Sequence, residues 1–259
     1  MDKELKVLAH KTVDKICRKV QKATATEFHK LGKSIGVGAD GTPTKYIDKI
    51  AEDAAIPFLK KADAKVNVLS EEAGFLDLGG GYVFVLDPVD GTRNAYRGIP
   101  FYAVSLAIGN EKLSDVEYGI VKNIPTGDMF VAEKKHGAFL NNKRIGVPEV
   151  PAKSLLSSLT LGKNFDEITL ALAKKDLVRS LGSCSLEMCM VAIGALDCYV
   201  AGREYLRVTD LAASTLIVRE AGGFVKNIRG DELEMDLTLD ERTSVVAACT
   251  EALIQSLIS

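Results

Sequence analysis

Apolar and small residues recur every three to four positions from residue 3 to residue 31, with Leu5, Leu8, Ala9, Thr12, Val13, Ile16 and Val20 on one stripe. That spacing predicts an amphipathic helix. A glycine-rich loop, Gly32 to Gly41, interrupts it. A second helix is expected from Pro43 to Leu59, with Ile47, Ile50, Ala51, Ala54 and Phe58 on its apolar face. Beyond it the period changes. Val66–Leu69, Tyr82–Leu86, Tyr102–Ile108, Glu117–Val121, Met129–Glu133 and Ala138–Leu140 read as strands separated by turn residues. Two helices covering a meander-like sheet make an α+β arrangement.

After Val147-Pro148-Glu149-Val150-Pro151 the pattern alternates. Leu155–Leu161 is expected as a strand, Phe165–Leu177 as a helix, and Ser185–Ala195 as a helix with Leu186, Met190, Ile193 and Gly194 facing inward. Leu196–Ala201 is expected as a strand, Asp210–Ala221 as a helix stopped by Gly222-Gly223, and Phe224–Ile228 and Val245–Cys249 as strands before a short closing helix. This is an α/β pattern. It sets the expected boundary at the proline-rich segment, with an α+β lobe over 1–150 and an α/β lobe over 151–259. Two lobes sharing one site fit as well as two independent domains.

Composition narrows the function classes. A net charge of −2 over 259 residues gives no broad attraction to nucleic acid or to an anionic membrane. No apolar run approaches the ~20 residues that span a bilayer, and the charged start Met1-Asp2-Lys3-Glu4 carries no secretory pattern. Five cysteines, with no Cys-x-x-Cys, read as small buried residues of a reducing cytoplasm. His10, His29 and His136 are scattered and show no zinc-ligand spacing.

The most informative segment is Val83-Phe84-Val85-Leu86-Asp87-Pro88-Val89-Asp90-Gly91-Thr92. An apolar strand ends in a carboxylate, Pro88 stops its ladder, and Asp90 projects from a tight turn beside Asp87. Two such close carboxylates repel unless a positive charge lies between them, and a divalent cation is the simplest candidate. Glu71 also follows an apolar run, Asp210 opens a helix, and Asp48 lies in the first turn of another. Each has a plainer role available: Asp210 as a helix cap, Asp48 in favour with the helix dipole, Glu71 in a solvated turn. Together they make an all-oxygen set suited to Mg²⁺ or Mn²⁺. A pair of such ions ~3.5–4 Å apart clamps both oxygens of an in-line phosphoryl displacement. If Thr92–Arg97 is a helical turn ended by Gly98, its first amides meet an anion, Gly91 admits close approach, and the Thr92 hydroxyl holds a water in line.

Gly36-Val-Gly-Ala-Asp-Gly41 matches a dinucleotide fingerprint, but no buried strand precedes it and Pro43 follows at once. It reads as a loop beside the site, with Lys33 and Ser34 either closing over phosphate or simply solvated. Arg179, Arg203 and Arg207 lie near expected strand ends, as surface charges or as partners for phosphate oxygens.

Ser70-Glu71-Glu72, Asp87-Pro88-Val89-Asp90-Gly91-Thr92, Gly182-Ser183-Cys184-Ser185, Thr209-Asp210-Leu211-Ala212-Ala213 and Glu220-Ala221-Gly222-Gly223 together resemble, in order and spacing, the Mg²⁺-dependent, lithium-sensitive phosphatases that include inositol monophosphatase and fructose-1,6-bisphosphatase. Gly38-Ala39-Asp40-Gly41-Thr42-Pro43-Thr44-Lys45 and Arg207-Val208-Thr209-Asp210 look most like its archaeal branch, whose members often act on both substrates. The resemblance implies a five-layer αβαβα sandwich and a homodimer. It implies Glu71, Asp87, the Val89 carbonyl, Asp90 and Asp210 as metal ligands, Thr92, Asp48 and Glu71 as catalytic residues, and Asp90, Gly91 and Thr92 at phosphate. Arg179, Cys184 and Arg203 take its substrate-contact positions. The family's frequent Trp before the last metal Asp is Thr209 here, and Arg203 stands where animal inositol phosphatases carry a Glu for the ring. That favours a substrate with a second phosphate, against which an arginine best offsets its desolvation.

The reaction expected is phosphomonoester hydrolysis. A cation held by Glu71 and Asp87 acidifies a water aimed by Thr92 with Asp48 behind it, and a cation between Asp87, Asp90 and Asp210 stabilises the leaving oxygen. A phosphorylated sugar or inositol is the expected substrate. A nucleotide 3′-phosphate or NADP 2′-phosphate is the alternative, and a non-catalytic metal- and phosphate-dependent binding protein is the rival of another class.

Overall fold

The computed structural model describes residues 1–62, 65–149, 154–161, 169–170, 174 and 177–258. Helix α1 (Lys3–Thr26) and helix α2 (Tyr46–Lys61) lie side by side, and between them β1 (Ser34–Val37) pairs antiparallel with β2 (Pro43–Lys45). The first helix is shorter than its stripe, because Phe28–Lys30 tightens to a 3₁₀ turn. The second starts three residues later than expected. The chain at Pro43 is extended as a strand partner of Val37, which holds it out of the helix.

An eight-stranded sheet follows, built from β3 (Val66–Ser70), β4 (Gly74–Leu76), β5 (Tyr82–Asp90), β6 (Ala103–Gly109), β7 (Tyr118–Asn123), β8 (Met129–Glu133), β9 (Gly137–Leu140) and β10 (Lys143–Ile145). From β5 to β10 it is an antiparallel meander, while β3 runs parallel to β5. A second sheet of five strands has the order β12-β11-β13-β15-β14, from β11 (Leu156–Leu159), β12 (Leu177–Arg179), β13 (Cys198–Leu206), β14 (Phe224–Lys226) and β15 (Thr243–Ala248).

Alternation along the strands sorts side chains into layers. Phe84, Leu86, Leu106 and Ile120 face α1 and α2, packing on Val13, Ile16, Ile47 and Ala51. Val83, Val85, Ala107 and Val121 face the opposite way, onto α4 (Cys184–Ala192) and α5 (Val208–Glu220). Tyr199, Ala201, Val245 and Ala247 of the second sheet close on those two helices from the other side. Its outer face, with Cys198, Val200, Val246 and Ala248, carries α6 (Glu251–Ile258) through Leu253 and Ile254. Helices, sheet, helices, sheet, helix make the five-layer αβαβα sandwich. No described helix is long and apolar enough to cross a membrane.

The middle layer departs from its expected pattern. Every residue from Val208 to Val218 is buried, as are Cys184 to Cys189. A helix pressed between two sheets is apolar all round, so the single inward face expected for 185–195 is absent. The expected helix Phe165–Leu177 falls mostly outside the described residues, and Leu177 itself opens β12. All five cysteines are buried and unbridged.

Candidate functional site

The strand carrying Asp87 does not stop at Pro88. It continues to Asp90 across a register shift, Asp87 opposite Ser105 and Asp90 opposite Ala103. One extra residue is therefore accommodated as a β-bulge, which lets proline sit in the ladder and re-aims the side chains around it. Asp87 Oδ1 accepts the Val89 amide at 3.0 Å within the bulge. Glu71 follows the last residue of β3, the strand beside β5. Asp210 is the third residue of α5 rather than its cap. It accepts the Arg207 amide at 2.8 Å, closing the helix start from inside. Glu71, Asp87 and Asp210 each offer a carboxylate oxygen, and these oxygens all lie within 4.8 Å of one another.

Asp90 is buried beside this trio but turned to the second sheet's helices. Its Oδ2 accepts from Ser183 Oγ (2.6 Å), the Ser185 amide (2.8 Å) and Ser185 Oγ (2.5 Å). Gly91 follows at φ 88°, and a Cβ there would stand 3.2 Å from the carbonyl oxygens of Gly182 and Phe101. Only glycine suits both the conformation and the space. Thr92 opens α3 (Thr92–Arg97), ended by Gly98 as expected. Its hydroxyl lies 2.8 Å from Asp48 Oδ1 and 2.9 Å from the Val89 carbonyl. Asp48 is fixed in turn by the Lys45 amide on its Oδ2, 3.0 Å away. Asp48, Glu71 and Thr92 line one cleft of about 300 Å³ with Thr42, Lys45 and Tyr96. A larger groove of about 620 Å³ along α1, lined by Lys11, Lys15, Arg18, Lys19 and Lys22 among others, lacks this constellation.

Burial dominates the electrostatics. It pushes Glu71 up to about 8 against the pull of Arg207, with Asp210 and Asp40 adding to the rise. Burial, then the carboxylates of Glu71, Asp90 and Asp210, hold Asp87 well above the ordinary range. Burial also raises Asp90, although Ser183 and Ser185 pull it back. Asp48 is pushed up to about 7 by burial, opposed by its hydrogen bonds to Thr92 and Lys45. Clustered buried carboxylates with raised pKa values are the donor set a hard divalent cation would relieve. The residues therefore fit Mg²⁺ or Mn²⁺.

The cation present among them is a guanidinium. Arg207 directs Nη1 to both Asp40 and Glu71, and Nε and Nη2 to the two oxygens of Asp210, each at 3.3 Å. Burial works against its charge, but Asp210, Glu71 and Asp87 more than reverse that and keep it protonated. Sequence reading placed Arg207 only as a substrate grip or a surface charge and gave Asp40 no role. The side chain of Asp40 has no exposed surface and also accepts the amide and hydroxyl of Thr42, each at 2.9 Å. In that reading Ser183 and Ser185 enter within the Gly182–Ser185 segment, without a role of their own, and Glu187 is not named. Glu187 accepts the Leu181 and Gly182 amides, at 2.9 and 3.2 Å, and fixes the segment facing Asp90.

The fingerprint-like loop binds no strand–helix crossover. Gly38 to Thr42 turns between β1 and β2 and docks on Glu71-Glu72, with the Ala39 amide 3.0 Å from the Glu72 carbonyl. Ser34 accepts the Lys45 ammonium at 2.8 Å. Of the expected substrate contacts, Arg179 is exposed at the end of β12 and Arg203 exposed on β13. Cys184 is 8% exposed and part of the core.

A sequence model of the inositol monophosphatase family matches residues 1–259. The fructose-1,6-bisphosphatase/inositol-1-monophosphatase of Methanothermobacter thermautotrophicus is 40% identical over 257 residues, 94% of this chain and 91% of that protein. The bifunctional NADP phosphatase/NAD kinase of Methanococcus maripaludis is 39% identical over 245 residues, 85% of this chain but 43% of that longer protein. A solved structure from Pyrococcus horikoshii, described as having similarities to inositol-1 monophosphatase, superposes with a TM-score of 0.86 at 33% identity, covering 99% of this chain and 97% of that one.

Proposed function

The chain belongs to the inositol monophosphatase family and is a phosphoric monoester hydrolase, and from that premise we propose that it removes phosphate from fructose 1,6-bisphosphate and inositol 1-phosphate with Mg²⁺. The observation carrying this reading is the cleft that brings the Thr92 hydroxyl, backed by Asp48, to the same surface as Glu71.

Glu71, Asp87, the Val89 carbonyl, Asp90 and Asp210 would hold the cations. Bound there, they supply Lewis-acid stabilisation of phosphoryl charge and acidify a water. The remaining work falls to the chain. The single Thr92 hydroxyl proton faces two acceptors, Asp48 and the Val89 carbonyl. With Asp48 raised to about 7, its protonated form donates to Thr92 and turns the Thr92 proton to the carbonyl. Once Asp48 is ionised, it accepts the hydrogen bond from the Thr92 hydroxyl, leaving the hydroxyl oxygen's lone pairs to orient a water. Glu71 lines the same cleft as Thr92, and its carboxylate, ionised against the cations, would accept a hydrogen bond from that water. Asp90, Gly91 and Thr92 border the phosphate position, and Gly91, without a Cβ, keeps side chains out of it. Arg179 and Arg203 would meet a second phosphate, and two copies of the chain would associate as a homodimer. Two lobes meeting at this site, 1–150 and 151–259, are supported by the reach of Asp90 to Ser185 and of Arg207 to Glu71.

The second reading is an NADP 2′-phosphatase, favoured by the Methanococcus relative. Phosphate release with Mg²⁺ across fructose 1,6-bisphosphate, inositol 1-phosphate, an adenosine bisphosphate and NADP separates the two. Turnover of the first pair is expected, and turnover of NADP alone overturns the sugar assignment. Asp90→Asn should abolish release while the circular dichroism spectrum is unchanged.

A further inference from the structure

One guanidinium spans carboxylates from three distant parts of the chain. Arg207 meets Asp40 from the β1–β2 turn, Glu71 after β3 and Asp210 of α5. Its Nη1 serves both Asp40 and Glu71. Two of these three partners, Glu71 and Asp210, belong to the trio whose oxygens lie within 4.8 Å of one another. Two opposite demands therefore fall on the same oxygens. A divalent cation entering the trio must share or take over the oxygens that Nε, Nη1 and Nη2 now occupy, and it meets a like charge on arrival.

We infer that Arg207 is the internal counter-cation of the acidic cluster: it holds Glu71 and Asp210 together in the metal-free protein, has to be displaced for the divalent cation to bind, and latches the Gly38–Thr42 turn over the site through Asp40. The inference rests on the metal-site reading above. Three further observations carry it. The Asp40 side chain has no exposed surface, although the residue as a whole is half-buried, and Arg207 is the one cation bonded to it among the described residues. Beyond the local bonds of Asp40 with Thr42, the turn's ties are the Ala39 and Asp40 amides to the carbonyls of Glu72 and Glu71, so Arg207 is the side chain that adds a charged tie to it. Glu72, which also backs the turn, has its own partner in Thr44. With Arg207 neutral, Asp40 would be a buried carboxylate without a countercharge, and such a group moves to water. The cluster itself would keep three carboxylates in mutual repulsion, stabilised only by a bound cation.

As a positioning residue, Arg207 should act on cation affinity and on the turn before any turnover is considered. The experiment is Mn²⁺ binding to metal-free wild type, Arg207→Gln and Arg207→Lys by calorimetry and electron paramagnetic resonance. Arg207→Gln should bind Mn²⁺ at least about fivefold more tightly than wild type, within the usual range of coupling between sites. Arg207→Lys, whose single ammonium cannot span three carboxylates, should fall between them. Amide exchange over Gly38–Thr42 in the metal-free protein should quicken in Arg207→Gln and less so in Arg207→Lys. In wild type, the Arg207 Nε–H resonance should shift as Mg²⁺ is titrated, a measurement that needs no variant to fold. Equal or weaker Mn²⁺ binding by Arg207→Gln, or an Nε–H resonance indifferent to Mg²⁺, overturns the inference alone. Failure of wild type and variants alike to bind either cation overturns the site reading and this inference with it.

Discussion

Ser185 holds Asp90 twice through one oxygen: its amide and its hydroxyl both donate to Oδ2, at 2.8 and 2.5 Å. The first residues of α4 thus fix a carboxylate that lies across a β-bulge in the other sheet. Ser185→Ala deletes the hydroxyl donor to a buried charge, a loss of about 1.5–3 kcal/mol. Urea unfolding of the metal-free protein should show that loss as a lower midpoint with an unchanged slope. A midpoint equal to wild type would mean the Ser183 hydroxyl and the Ser185 amide already satisfy Asp90 by themselves.

Thr92 is expected to matter through its oxygen rather than its shape. Thr92→Val keeps the volume but removes the hydroxyl shared by Asp48 and the Val89 carbonyl. Turnover should fall about 10²-fold or more, the scale of a lost proton-handling group, while Thr92→Ser keeps most of it. Steady-state kinetics on both variants decides the point, and comparable rates for valine and threonine would remove Thr92 from the chemistry.

Stability without divalent cation should decline as pH rises. A carboxyl whose pKa is higher in the folded chain binds its proton more tightly there. Its stabilisation is complete below the unfolded pKa and is lost as pH passes the folded one. Glu71 goes from 4.5 to about 8 and Asp48 from 3.8 to about 7, so the loss spans that interval. Asp40 is shifted the other way: hydrogen bonds from Thr42 and the Arg207 charge outweigh its burial, so its contribution disappears only on acidification. Scanning calorimetry in EDTA should therefore give a Tm falling from about pH 5 to about pH 8, and Mg²⁺ should flatten the slope by countering the ionised cluster. A level or rising Tm in EDTA contradicts this.

Gly91→Ala should be costly out of proportion to one methyl. The position sits at φ 88°, and the added Cβ would press on Gly182 and Phe101 carbonyl oxygens and on Ser183, each at 3.2 Å. Backbone strain of this kind costs about 1–3 kcal/mol. Disturbing Ser183 would loosen Asp90 as well, so denaturation and turnover should both suffer. Full activity at wild-type stability would show that the turn relaxes without cost.

Much of this arrangement was legible in the chain. The 3.6-residue stripe over Leu8, Val13, Ile16 and Val20 is the buried face of α1, and the strand alternation around Phe84 and Val85 is the two-sided core of the large sheet. Glu71, Asp87 and Asp210 were readable because each carboxylate follows or opens an apolar element. The bulge at Pro88 was not, because a proline ends a ladder unless an extra residue bends the strand around it. Neither was the β1–β2 pair, where glycines gave the appearance of an irregular loop. The middle helices also hid their orientation, since a helix covered on both sides loses the polar face that makes periodicity readable.

By itself the sequence determined which groups are present and which elements present them: an oxygen-only acidic set, a strand–turn–helix at Asp87 to Thr92, and a layered mixture of helices and sheets. Tertiary structure alone decided their partners. Asp90 turned to Ser183 and Ser185, Thr92 came between Asp48 and Val89, and Arg207 came to lie among Asp40, Glu71 and Asp210. The physical reason is range. Periodicity and turn chemistry act over a few residues. The charge balance of a buried cluster depends on groups more than a hundred residues apart, as Glu71 and Arg207 are, which only the packing of the two sheets brings together.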